Sequence, residues 1–275
     1  MAKKRGFNLT LFIFLIVLVT VLCGIFYFRW SEGEAQIENL VDRKRSEDNI
    51  VFIIPSTSRN MNYEDVESCS LVSTLYASLK KFDISRYTFV VGTDDDDAFY
   101  NENIDTLKEN MPDNFKFHVL NNFDKSYVCI VNQLADIAVT TYDADYIYVF
   151  ADDLDVYDLT FIDAKFLPYF KDNGDACLGW GIDENNKTLC THPFVSRKHV
   201  DLLGYFYPRE IKNWFCDDWI HRTYTKLGKV VQSDRSILSN GQGEQVRPRY
   251  NVEMVDDDTL NRLVSDAVDA MKSKL

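Results

Sequence analysis

Apolar and polar residues alternate in blocks from residue 49 onward, and the blocks switch between two periods. Short apolar runs and strict alternation predict strands, whereas apolar residues at helical spacing predict helices. The strands predicted in the first half are 50–54, 87–92, 115–119 and 146–150, and the helices between them are about 62–81, 101–110 and 127–138. This alternation predicts an α/β domain, a mostly parallel sheet sandwiched by helices.

The pattern changes after residue 155, where shorter and more aromatic segments follow. We expect strands at 176–181 and 189–195, a short helix capped by Ser196, a helix that begins at Asp217 and Asp218, a loop at 239–250 and a loosely amphipathic tail at 256–275. The domain proper is therefore expected to span 49–255, with 256–275 as a C-terminal tail helix.

An uncharged, apolar run covers 7–28 near the start of the chain. As a helix its 22 residues would span about 33 Å, enough to cross a bilayer. Three basic residues precede the run and one follows it directly, which predicts a cytosolic tail at 1–6 and a single-pass type II anchor. Residues 29–48 are then expected to form a stem, with the bulk of the chain outside the cell or in a lumen.

Charge and cysteine content narrow the function further. The net charge of −13 disfavours nucleic acid as a partner, because phosphates require a basic surface. The six cysteines show no zinc-type spacing; in a lumen one or two disulfides could form. A sequon at Asn186 is consistent with a lumenal glycoprotein.

Three carboxylates close together at the end of an apolar strand carry the strongest chemical signal. Asp152, Asp153 and Asp155 follow the run at 146–150. Adjacent carboxylates repel each other, and a bound Mg²⁺ or Mn²⁺ would remove that repulsion. A turn rich in Asp is the alternative explanation. Polar clusters also follow the first two strands, and ligands of such sheets bind beyond the carboxyl ends of the strands.

This order of elements, with an Asp-x-Asp after the fourth strand, resembles the GT-A glycosyltransferases of the nucleotide-diphospho-sugar transferase superfamily. The anchor and stem resemble those of Golgi-type members. The resemblance implies a nucleotide-diphosphate sugar as donor, with a UDP-sugar favoured, a glycan or glycoconjugate acceptor, and Mn²⁺ or Mg²⁺. It implies that the donor is held by Pro55, Ser56, Thr57, Arg59, Asp95, Asp96, Asp152 and Arg247. Asp95 and Asp96 are equally readable as part of a solvated loop.

The resemblance also assigns the metal and the catalytic base. Asp153 and Asp155 would hold the cation, and His221 could complete the metal site. Asp218, or else Asp217, would deprotonate the acceptor hydroxyl and lead to inversion at the anomeric carbon. Two acids at a helix N-terminus also suit the helix dipole, which is the alternative explanation.

Two other functions remain open at this level. A phosphatase of the haloacid-dehalogenase type also uses an Asp-x-Asp after an apolar strand, although that motif normally lies on the first strand. A non-catalytic, membrane-tethered protein that binds calcium or glycans would account for the acidic clusters without a nucleotide site.

Overall fold

The structure, a computed structural model, describes residues 48–122, 124–241 and 248–275. The chain divides into two units, Met1–Asp48 and Asn49–Leu275, and the fold below is that of the second. The predicted cytosolic tail at 1–6, the anchor at 7–28 and all of the stem except Asp48 lie outside the described residues. Among the residues that are described, no helix combines the length and apolar character needed to cross a membrane.

Eight strands of the described residues form one mixed sheet. They are β1 (Ile50–Ser56), β2 (Thr88–Asp94), β3 (Phe115–Leu120), β4 (Tyr146–Val149), β5 (Leu154–Val156), β6 (Leu178–Asp183), β7 (Pro193–Ser196) and β8 (Val230–Asn240). Their order across the sheet is β3-β2-β1-β4-β7-β6-β8-β5. Strands β1 to β4 pair with one another in parallel. Strand β7 is antiparallel to its neighbours β4 and β6. Strand β8 is parallel to β6 and antiparallel to β5. The parallel half therefore presents several strand ends at one edge.

Helices cover both faces of the sheet. They are α1 (a π-helical segment, Leu71–Tyr76, with one α-helical turn, Ala77–Leu79), α2 (Ala98–Asn110), α3 (Tyr127–Thr140), α4 (a π-helical segment, Ile162–Phe166, continued by Leu167–Asn173), α5 (Lys198–Leu203), α6 (Cys216–Leu227) and α7 (Asp257–Lys272). Helices α1, α2 and α4 contribute to one apolar cluster, and α3, α6 and α7 contribute to the other.

Strand β1 lies between these two clusters and is buried over its whole length. Phe52 and Ile54 pack into one cluster, while Val51 and Ile53 pack into the other, as expected when successive side chains point to opposite faces. A central strand that is apolar on both sides fixes the position of the polar residues that follow it.

The structure confirms the strands and helices predicted in the first half and corrects several boundaries. The segment predicted as a helix from 62 begins its helix only at Leu71, after a series of turns. Strand β7 begins at Pro193, and α5 has Arg197 at its N-cap, so the predicted strand start at 189 and the cap at Ser196 were wrong. Strands β5 and β8 were not predicted, and the sheet is mixed.

The cysteines of the described residues are free thiols. Cys69, Cys177, Cys190 and Cys216 are buried and Cys129 is half-buried. The expectation of one or two disulfides is therefore not met among these residues, and their side chains contribute instead to the packed interior.

Candidate functional site

The carboxyl ends of three parallel strands meet at one edge of the sheet. Ser56 at the end of β1 is in register with Thr93 on β2, and Ile53 is in register with Val149 at the end of β4. Parallel pairing places the segments that follow these strands side by side. The clusters predicted near 55–59, 94–97 and 152–155 are therefore neighbours in space.

A buried ion pair connects the first two of these segments. Arg59 donates from Nη2 to Oδ2 of Asp94, whose side chain is fully buried. The other carboxylate oxygen accepts a hydrogen bond of 2.7 Å from Asn122 Nδ2. Nη2 of Arg59 also lies 3.4 Å from Asp96 Oδ1. Asp94 is thus satisfied on both oxygens, and the guanidinium of Arg59 is held at the strand ends.

Asp97 ties the loop after β1 to the start of helix α2. One of its oxygens, Oδ2, accepts from Thr57 Oγ1 at 2.9 Å and from the Ser58 amide at 2.6 Å. The other accepts from Ser58 Oγ at 2.7 Å and, as the N-cap of α2, from the Tyr100 amide at 3.2 Å. One carboxylate therefore fixes the loop and caps the helix.

Arg249 lies against the acids that follow β4. Its Nη1 is 2.8 Å from Oδ1 and 3.0 Å from Oδ2 of the fully buried Asp152, and its Nη2 is 3.3 Å from Asp153 Oδ2. Burial raises the pKa of Asp152 to about 6; the charge of Asp153 acts in the same direction, and Arg249 opposes both. A cation does lie against the packed carboxylates, and it is a guanidinium.

The same acids fit a divalent cation. Oδ1 of Asp152 is buried and meets the Arg249 guanidinium as an ion pair without a well-oriented hydrogen bond, and the Asp153 side chain is 32% exposed. Mg²⁺ and Mn²⁺ in transferases are commonly held by one or two carboxylates, with substrate phosphates completing the coordination. Asp152 and Asp153 are therefore the residues that would hold the cation.

Asp155 and His221 have other partners. Asp155 is on β5 with Oδ1 3.9 Å from Lys81 Nζ, and His221 Nδ1 accepts a hydrogen bond of 3.1 Å from the Cys190 amide. Within the described ranges no group of three or more His, Cys, Asp or Glu side chains is arranged to hold a metal. The role of Asp155 and His221 as metal ligands stays a prediction.

The predicted acid pair begins helix α6. Phe215, at the N-cap, has φ of 72°, an uncommon backbone conformation for a bulky residue, so the chain turns sharply before the two acids. Burial raises the pKa of the half-buried Asp217 to about 7, and the neighbouring Asp218 adds to the shift. Asp218 is paired with Arg222 at 3.1 Å. Asp217 is thus the acid whose pKa suits a base near neutral pH.

Tyr127 connects this acid pair with the acids after β4. Its ring packs edge-on against that of Tyr250, with centroids 5.5 Å apart. Burial raises its pKa well above the usual value, and the nearby acidic groups, which include Asp217 and Asp153, add to the shift. Tyr127 thus packs against the residue that follows Arg249, and the ionisation of its hydroxyl is opposed by the charges of both Asp217 and Asp153.

The remaining predicted donor residues are placed as follows. Pro55 and Ser56 are buried at the end of β1, and Thr57 follows them. Asp95 and Asp96 lie on the exposed loop after β2: Asp95 accepts from Asn121 Nδ2 at 3.2 Å, and Asp96 pairs with Lys125. Arg247 lies outside the described residues.

Among the acids after the second strand the sequence favoured Asp95 and Asp96 over Asp94 and Asp97. Of the two arginines near the end of the loop at 239–250 it favoured Arg247 over Arg249, and it gave no role to Asn122. The position of Asp97 directly before a helix was a signal for a helix cap.

Near the loop after β1, a cavity of about 310 Å³ is lined by Ser58, Met61, Asn62, Tyr63, Glu64 and Phe99. The rings of Tyr63 and Phe99 lie 5.1 Å apart beside it.

Comparisons with known proteins identify the fold. No family model matches the sequence, and no curated protein matches it. Among solved structures, Staphylococcus aureus TarS (residues 1–349) is similar with a TM-score of 0.50 and 14% identity, over 82% of this chain and 72% of that one. The mannosyltransferase PcManGT from Pyrobaculum calidifontis, solved with GDP-Man and Mn²⁺, is similar with a TM-score of 0.52 and 9% identity, over 73% of this chain and 59% of that one.

At such low identity the likeness concerns the fold alone. It supports the GT-A-like architecture expected from the sequence, with a sheet whose parallel strands carry acids at their carboxyl ends. The described domain therefore has a GT-A-like fold.

Proposed function

We propose that this protein is a metal-dependent glycosyltransferase that moves a sugar from a nucleotide-diphosphate donor to an acceptor hydroxyl. The observation that carries the proposal is the acid pair Asp152–Asp153, placed beyond β4 beside the ends of β1 and β2 in this fold. PcManGT, which has a similar fold, holds GDP-Man and Mn²⁺. We further propose that the segment at 7–28 is a type II anchor, with the domain on the lumenal side.

The donor would lie across the strand ends. The loop after β1, fixed by Asp97, and the cavity beside Tyr63 and Phe99 would accept the nucleoside. Arg59 and Arg249 are the guanidinium groups that face the same edge, and such groups bind diphosphate oxygens well. A divalent cation on Asp152 and Asp153 would supply positive charge that stabilises the nucleoside diphosphate as it leaves.

Asp217 would act as the base toward the acceptor. Its carboxylate takes the proton of the acceptor hydroxyl, the oxygen forms a bond to the anomeric carbon, and the bond from that carbon to the diphosphate oxygen breaks. The electron pair of the broken bond leaves with the nucleoside diphosphate. A single displacement of this kind inverts the anomeric configuration. The pKa of about 7 lets Asp217 be ionised at neutral pH and still accept a proton.

A donor panel tests this proposal. The full-length chain is incubated with UDP-, GDP- and other nucleotide-sugars, each with and without Mn²⁺, and thermal stability and nucleotide release are followed together. We expect one donor to stabilise the wild type in the presence of Mn²⁺, and Asp153→Asn to abolish this effect. Asp234→Asn, at an exposed acid on β8, is the matched control and should behave like wild type.

The remaining outcomes distinguish the alternatives. No response to any nucleotide in a folded protein would exclude the transferase. Release of inorganic phosphate from simple phosphoesters would then favour the phosphatase. Binding of calcium or of a glycan without turnover would favour the non-catalytic module.

A further inference from the structure

The Arg249 guanidinium lies against the carboxylate oxygens that a divalent cation would use. It contacts both oxygens of Asp152 at 2.8 and 3.0 Å and one oxygen of Asp153 at 3.3 Å. The Arg249 side chain is only 17% exposed. The carboxylate oxygens that would coordinate a metal at about 2.0–2.2 Å are thus already in contact with a half-buried guanidinium.

The backbone around Arg249 is held in place by the loop after β1. Arg59 Nη1 donates to the carbonyl of Arg249 at 3.3 Å, and Asn60 Nδ2 donates to the carbonyl of Pro248 at 2.7 Å. Arg249 Nη1 also lies 3.5 Å from the Thr57 carbonyl. The first two contacts anchor the main chain at Pro248 and Arg249, while the guanidinium itself is held by its ion pairs with the acids and by the long contact with the Thr57 carbonyl.

We propose that Arg249 and the divalent cation are alternative occupants of the Asp152–Asp153 pair, so that the metal binds tightly only when a diphosphate is present to accept the displaced guanidinium. Two cations on two carboxylates in a buried place would repel each other. The anionic donor removes this conflict, because it offers the guanidinium new oxygens. This inference rests on the proposed function for its donor, and it makes metal and donor binding cooperative.

Metal affinity without nucleotide provides the first test. Mn²⁺ binding to the full-length chain is measured by electron paramagnetic resonance for wild type, Arg249→Gln and Arg262→Gln. Arg262 forms an exposed pair with Asp266 on α7 and serves as the matched control. We expect Arg249→Gln to bind Mn²⁺ at least about tenfold more tightly than wild type, and Arg262→Gln to leave the affinity unchanged. Equal or weaker binding by Arg249→Gln would overturn the proposal.

A second measurement uses the wild type, in case Arg249→Gln does not fold. Arginine labelling by phenylglyoxal, followed by mass spectrometry, reports the exposure of each guanidinium. With Mn²⁺ at saturating concentration, we expect labelling at Arg249 to increase several-fold while labelling at Arg262 stays constant. Unchanged labelling at Arg249 while Mn²⁺ is bound would contradict the exchange.

Failure of this inference is separable from failure of the proposed function. A donor that stabilises the protein, together with no effect of Arg249→Gln on Mn²⁺ affinity, would remove the exchange and keep the transferase. Tighter Mn²⁺ binding by Arg249→Gln, with no response to any nucleotide-sugar, would keep the exchange at the acid pair and remove the transferase.

Discussion

The Arg59 guanidinium donates a hydrogen bond of 3.3 Å to the main-chain carbonyl of Arg249, 190 positions later in the chain. This contact joins the loop after the first strand to the segment that follows the last strand. Each arginine then pairs with a fully buried acid, Asp94 for Arg59 and Asp152 for Arg249. Two buried carboxylates and two guanidinium groups therefore balance one another at the strand ends.

The first prediction concerns Arg59. Arg59→Ala leaves the buried Asp94 with Asn122 as its remaining partner, and an uncompensated buried carboxylate is strongly destabilising. We expect the free energy of unfolding to fall by about 3 kcal/mol, as measured by urea denaturation. Arg262→Ala, at an exposed pair, should change it by less than about 0.5 kcal/mol. Similar losses for both variants would show that the Arg59–Asp94 pair contributes no more to the free energy of unfolding than an exposed ion pair does.

A second prediction concerns Asp97, which accepts four hydrogen bonds from the loop after β1 and from helix α2. Asp97→Ala removes a helix cap and leaves the buried Thr57 hydroxyl without its acceptor. We expect a loss of about 2–4 kcal/mol in the free energy of unfolding. Asp95→Ala, at an exposed position two residues earlier on the loop after β2, is the control. A loss below about 1 kcal/mol for Asp97→Ala would contradict this account.

The third prediction separates activity from stability at Asp217. Its pKa of about 7 lies above that of an unfolded Asp, so the native state binds the proton more tightly and loses stability as pH rises toward 7. Asp217→Asn is neutral at all pH values and removes this cost. We expect it to gain about 1–2 kcal/mol at pH 8, after allowance for partial exposure, while transferase activity is lost.

The catalytic activity of the wild type should depend on the same carboxyl group, Asp217, and should rise with pH where stability falls. The base must be ionised, so we expect kcat/KM to rise with pH and to level off above about 7. A profile that is flat between pH 5.5 and 8, on a folded enzyme, would exclude Asp217 as the base.

The fourth prediction concerns acid stability. His199 is buried between the Tyr224 hydroxyl, 2.8 Å from Nδ1, and the Phe206 carbonyl, 2.8 Å from Nε2. Burial lowers its pKa to about 4, so the unfolded state binds the proton more tightly, and stability falls as pH drops from about 6.5 toward 4. His199→Gln removes this contribution.

We therefore expect the wild type to lose about 1–3 kcal/mol more than His199→Gln between pH 7 and 4.5, as measured by urea unfolding at each pH. His192, whose pKa is also lowered to about 4, remains in both proteins and contributes equally to each. Parallel stability curves for the two proteins would refute the assignment to His199.

The parallel half of the fold could be predicted from sequence because its strands are apolar on both faces. Strand β1 is buried at every position, and such a run is recognisable without further context. Strand β8 was missed because its buried and exposed positions do not alternate regularly, and its pairing with β6 contains irregularities in register. A bulged strand of mixed polarity has no clear period.

The candidate site was predictable only in part, for a similar reason. The acids that follow strand ends could be identified, since parallel strands bring their ends together. The partner of Asp152 could not, because Arg249 is 97 positions away and reaches it only through the path of β8. The sequence is equally silent on burial at its tryptophans: Trp180 and Trp219 are buried in the core, whereas Trp214 is 55% exposed.

The long separation between Asp152 and Arg249 has a consequence for synthesis on the ribosome. Strands β1 to β4 are complete by Val149, but the counter-charge of Asp152 is translated 97 residues later. Strand β5 likewise has its sheet partner only when β8 has emerged. A nascent chain that stops before residue 249 would have to bury a carboxylate alone, which is strongly unfavourable. The end of the sheet that holds Asp152 and β5 can therefore reach its final packing only after residue 249 has left the ribosome.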